Sequence, residues 1–137
     1  MKPWQKVFRD GLAPCLSTPG LLALRKALAD DDPRLQQGAT TTPPPLRCVR
    51  DWPVEGACLV GYSFWQGDRG GDATVGEVEE FFARACFDCD VRISEPAGCR
   101  WLLNAYDEWP RQEMILNLLP EVELELDKRR GSDTMRA

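Results

Sequence analysis

The chain has 137 residues, 43% hydrophobic and 28% charged, which suits one globular domain with its own core and excludes wholesale disorder. Seventeen basic against 22 acidic residues give a net charge of -5, opposite to the basic face on which nucleic-acid modules depend. No stretch is apolar for long enough to span a bilayer, and "MKPWQKVFRD" lacks the apolar centre of a secretory leader; neither a membrane nor a nucleic-acid partner is expected, and the protein is assigned to the cytoplasm.

Helical periodicity dominates the chain. Trp4, Val7, Phe8 and Leu12 share one face of a first helix. "STPGLLALRKALADDDP" is a second, with Ser17 or Thr18 as cap, Pro19 at the first turn and a stripe of Leu21, Leu24 and Leu28. Asp30 to Asp32 crowd its negative end and Pro33 stops it. Residues 33–52 form an irregular Pro-rich segment whose "TTTPPP" run favours extended polyproline backbone. It is either a strap across the bundle, anchored by Leu35, Leu46 and Val49, or a partner-facing loop.

A third helix is read from Pro53 through "PVEGACLVGYSFWQ", its two glycines permitting close helix approach, and "GDRGGDA" is a turn. Thr74-x-x-Glu77 is a capping box opening a helix with Val75, Val78, Phe82, Ala85 and Cys89 on one face and Phe81 and Cys86 at its margins. "SEPAGCRWLLNAYDEW" follows, capped by Ser94, with Trp101, Leu102, Ala105 and Tyr106 inward. The last helix begins at Pro110 and is expected to kink or split at Pro120. "DKRR" at 127–130 reads as a solvated helix end and 131–137 as a flexible tail. The fold class is therefore all-α: five or six short helices in one domain, residues 1–130.

The sharpest chemical signal is "CFDCD", with Cys86 and Cys89 three apart. Structural zinc needs four ligands, commonly two such pairs or one pair with histidines. This chain has no histidine, so only Cys48, Cys58 or Cys99 could complete a site. A dithiol redox motif sits at a helix start, where the dipole favours thiolate; this pair lies late in a helix, beside Asp88 and Asp90. Both thiols are read as small apolar residues on a buried face.

"DRGGDATVGEVE" offers Asp68, Asp72 and Glu79 at calcium-loop positions, but Gly70 replaces an oxygen ligand and Ala73 the glycine of the sharp turn. Glu77-x-x-Glu80 resembles the first half of the acidic motif of all-α nucleotide pyrophosphohydrolases, which implies magnesium held by Glu77, Glu80 and Asp107. The second half departs from that pattern, since Asn104 stands where an acid belongs. Without histidine, and without a Walker-type loop, no catalytic residue, cofactor or metal is expected.

Trp52 and Trp109 each precede a proline at a helix start, where they can staple the incoming chain. The reading is a non-enzymatic interaction or regulatory module, with Pro43, Pro44, Pro45, Arg47, Arg50 and Trp52 as the candidate partner surface. The enzyme and zinc readings are the alternatives.

Overall fold

The structure, a computed structural model, describes residues 1–136, with side chains to Gly131. It is a predominantly helical, compact arrangement: α1 (Pro3–Lys6), α2 (Thr18–Asp30), α3 (Leu59–Tyr62), α4 (Val75–Ile93), α5 (Gly98–Glu108) and α6 (Arg111–Arg136). A single antiparallel ladder joins β1 (Thr41–Thr42) to β2 (Gly56–Ala57). α1 runs on through a π-helical stretch, Val7–Leu12, and α3 through another, Ser63–Asp68.

The caps of α2 and α4 form as the sequence implies. Ser17 Oγ accepts from the Gly20 amide at 2.9 Å. Thr74 and Glu77 satisfy each other's backbone donors, Thr74 N–H giving to Glu77 Oε1 at 3.0 Å, so two of the orphan amides of α4 are paired. The buried stripe of α4 is Val75, Val78, Ala85 and Cys89, with Phe81, Phe82 and Cys86 half-buried beside it. Opposite Cys89 lies Gly11, where an added Cβ would stand 2.7 Å from Cys89 Sγ. The first helix can approach α4 only because Gly11 lacks one. Gly67 and Gly20 make the tightest approach, between the end of the α3 unit and the start of α2.

Several expectations need correction. Residues 53–58 are not helical, and α3 starts at Leu59. The amides of Val54, Glu55, Ala57 and Cys58 go instead to the carbonyls of Ala73, Thr42, Arg34 and Thr40, at 2.7–3.1 Å, so long-range partners satisfy them before an i→i−4 ladder can form. Ser94 ends α4 in the left-handed region (φ 53) rather than opening α5. α5 buries Cys99, Leu102, Leu103 and Tyr106, a stripe that leaves Trp101 on its flank, 47% exposed.

Pro120 neither splits nor ends α6. The buried row there is Met114, Leu118, Val122 and Leu126; Pro120 and Leu116, four residues earlier, are both exposed, so the carbonyl that loses its donor lies on the solvent side.

Polar groups tie α6 to the N-terminal half. Arg9 and Gln5 donate to buried Glu121, Arg9 at 2.6 and 2.8 Å and Gln5 at 3.1 Å. Within the "DKRR" run, Arg129 is not a solvated terminus. It donates to the carbonyls of Ala13 and Leu16 at 3.0 and 2.8 Å, placing a cation at the C-terminal end of the first helical unit, where the helix dipole favours one. Arg111 does the same for Asp32 and Leu35, at 2.8 and 2.6 Å. Of the expected tail, 131–137, the helix covers the backbone to Arg136, and the side chains beyond Gly131 lie outside the described residues.

Candidate interaction surface

The segment between α2 and α3 has two unlike parts. Its roots are fastened. Leu35 is fully buried and bridges Ala57, Tyr106 Oη donates to the Gln36 carbonyl at 2.7 Å, and Gln37 Nε2 donates to the carbonyls of Tyr106 and Trp109, both at 2.8 Å. Thr41 pairs with Ala57 and Thr42 with Gly56.

Residues 43–52 project from those roots as a tight, hydrogen-bonded turn. The Thr42–Pro43 peptide is cis, and Thr41 Oγ1 donates to the Pro43 carbonyl at 2.6 Å. A 3-10 turn covers Arg47–Val49. Leu46 N–H gives to Pro44 O at 2.7 Å, Val49 N–H to Leu46 O at 3.0 Å and Trp52 N–H to Val49 O at 3.0 Å. The start of α4 then clamps the turn: Val75 N–H donates to the Trp52 carbonyl and Gly76 N–H to the Arg50 carbonyl, both at 2.9 Å. Those are first-turn amides that the helix itself leaves unpaired.

Only Val49 turns inward from this unit, at 8% exposure. Leu46, expected as an anchor, is 58% exposed, and Trp52, expected as a staple, is 56% exposed. The reason is the clamp. With the backbone of 50–52 hydrogen-bonded along the start of α4 and Val49 filling the space beneath, no inward site remains for either side chain. Trp109, by contrast, does pack on the N-terminus, edge-on against Trp4 with ring centroids 5.0 Å apart.

Pro44, Pro45, Arg47 and Trp52 are each exposed on the turn, and so is Leu46. Pro43 is half-buried. Arg50 is engaged underneath, its guanidinium on Glu79 at 3.0 Å and Glu80 at 3.3 Å, where it holds the turn to α4. Arg47 is exposed and makes no ion pair among the described residues. The surface therefore offers apolar area and one free cation on a fixed backbone. Leu46 carried no sequence signal of exposure; a leucine just after three prolines reads equally well as an anchor.

The acidic residues of the alternative readings are employed elsewhere. Glu77 caps α4 and pairs with Arg69, whose guanidinium, together with the Thr74 amide, holds that carboxyl below the usual range. Glu80 faces Arg50, and Asp107 Oδ1 accepts from the Gly38 amide at 2.8 Å. Of the calcium-loop candidates, Asp68 accepts from Ser17 Oγ and Glu79 pairs with Arg50. Among the described residues, no three Cys, Asp or Glu side chains converge in a geometry able to hold a metal ion.

The six cysteines are free thiols. Cys89 is fully buried and Cys86 half-buried, each where the helix wheel puts it. Cys58 is enclosed between α3 and its neighbours, and burial pushes its thiol up to about 11. A separate cleft of about 510 Å³ opens between α1 and the α4–α5 connection, with Val7, Ile93, Pro96 and the displaced Trp101 among its walls. No helix among the described residues is long and apolar enough to cross a membrane. No family model, curated protein or solved structure matches the chain.

Proposed function

We propose that this is a non-enzymatic, cytoplasmic interaction module that binds a protein partner through the turn at residues 43–52. The observation that carries the reading is the pairing of exposed Leu46 and Trp52 with a backbone fixed at both ends. Exposed tryptophan and leucine side chains are costly to leave in water, and tryptophan is enriched among the residues that dominate interface energies. A turn already ordered by its own hydrogen bonds loses little conformational freedom on binding. Arg47 selects the chemistry of the partner: an apolar side chain to cover Leu46 and Trp52, flanked by a carboxylate. The net charge of -5 argues against nucleic acid as that partner.

The test compares capture from the cells that make this protein by the wild type and by a Leu46→Ala/Trp52→Ala variant, quantified by mass spectrometry. The reading expects a protein retained by the wild type and lost by a variant that melts at the same temperature. Identical capture by both proteins would refute it.

A further inference from the structure

The buried face of α4 carries a second feature, unrelated to the turn. Asp90, near the end of that helix, accepts from the amides of Ala97 and Cys99 at 3.1 and 2.8 Å. Its carboxylate thus docks the first turn of α5 onto α4, and in doing so sets Cys99 against Cys86. The two sulfurs stand 3.1 Å apart across the hairpin, inside the separation of two sulfur atoms in ordinary contact. A disulfide requires about 2.0 Å, so the remaining approach is roughly 1 Å.

Exposure divides the roles. Cys86 is half-buried and open to a small reagent, whereas Cys99 is fully enclosed. Hydrogen bonds to Cys86 and Cys89, and then burial, push the Cys99 thiol up, which makes it the poorer first nucleophile.

We propose that Cys86 and Cys99 are an oxidisable pair, joined into an intrachain disulfide by a low-molecular-weight disulfide of the glutathione class. Cys86 loses its proton and its thiolate attacks one sulfur of the reagent. The reagent's S–S bond breaks, and its other half leaves as a thiolate that takes up a proton. Cys99 then loses its proton to solvent and attacks Cys86 Sγ, forming the Cys86–Cys99 bond and expelling the second half of the reagent, again as a thiol. Two protein thiols are oxidised, one reagent disulfide is reduced to two thiols, and no further oxidant is required. The product covalently clamps α4 to α5 across a thirteen-residue separation, constraining the unfolded chain more than the folded one.

Cys89 is the built-in competitor. It lies on the same helix face, yet it is fully buried and so shielded from the reagent. Cys48, exposed on the turn, is the accessible thiol with no partner set against it.

The experiment incubates the full chain with oxidised glutathione, maps the cysteine peptides without reduction, and records thermal melting before and after. The expected map shows a Cys86–Cys99 peptide pair lacking two hydrogens and reversed by dithiothreitol, with Cys48 found only as a glutathione adduct. The melting temperature of the crosslinked form rises by roughly 10 °C. In Cys86→Ser, Cys99 should remain a thiol; if that variant does not fold, the wild-type map decides alone. Glutathione retained on Cys86 with Cys99 still a thiol, or a Cys86–Cys89 bond, would overturn the pairing. So would both thiols surviving unreacted, and a crosslinked chain that melts no higher would overturn the clamp.

Discussion

Alanine at Gly67 should destabilise the fold, whereas the same change at Gly131 should stabilise it. A Cβ at Gly67 would stand 2.4 Å from Gly20 Cα, 2.5 Å from Gly20 N and 2.6 Å from Pro19 O. Carbon atoms pack best at about 3.5–4.0 Å, so the two segments must part by roughly 1 Å. The obstructing atoms are all backbone, and no rotamer change can move them aside. Displacing them would disturb the Ser17 cap and the fully buried Leu21 and Leu24 of α2.

Overpacking of this kind costs about 1–3 kcal/mol, and alanine's better helix propensity returns only about 1 kcal/mol. The net loss should be up to about 2 kcal/mol, or up to roughly 8 °C in melting temperature. Gly131 lies in α6 with no heavy atom within 4 Å of the added carbon, so the propensity gain of about 1 kcal/mol stands alone there. Chemical denaturation followed by circular dichroism measures both variants. Equal effects of the same sign would show that α2 does not cross the α3 unit backbone to backbone.

Other substitutions divide exposed from buried residues in the same way. Leu46→Ala and Trp52→Ala should each leave stability within about 0.5 kcal/mol, whereas Phe8→Ala should cost about 3–5 kcal/mol by the same denaturation assay. Arg111→Ala should cost about 2 kcal/mol, because its charge-assisted bonds to two carbonyls and Asp31 disappear together. Hydrogen bonds from Arg34 hold the Asp32 carboxyl down at about 2. A depressed carboxylate adds stability above its unfolded value near 4, which is lost as pH falls toward 2; Asp32→Asn should flatten that limb of the stability–pH curve. A thiol reagent at mild alkaline pH should label Cys48 at once and reach Cys58 only on unfolding, as thiol counting over time would record.

Helices were legible wherever local signals agreed with packing. The capping box and the Val75–Val78–Ala85–Cys89 stripe placed α4 and its buried face, and Ser17 with the leucine stripe placed α2. What escaped was set by distant partners. "PVEGACLV" has helical periodicity, yet its amides are claimed by strands and turns up to some twenty residues away. A tryptophan before a proline looks like a staple, and Trp109 behaves as one; Trp52 does not, because the start of α4 binds the backbone on either side of it. The burial of Glu121 follows from Arg9, a residue more than a hundred positions distant. No spacing within one helix records such a pairing. Likewise, the wheel placed Cys86 and Cys89 correctly but could not reveal Cys99, which only the α4–α5 register brings to Cys86.

We propose that residues 43–52 bind the partner while residues 33–42 and 53–58 hold the fold. Hydrogen exchange on the captured complex tests it most directly, compared peptide by peptide with the free protein. New protection should be concentrated in peptides covering 43–52, with no change around the cleft at Trp101. Protection that falls on that cleft or on α6, with 43–52 exchanging as in the free protein, would contradict it.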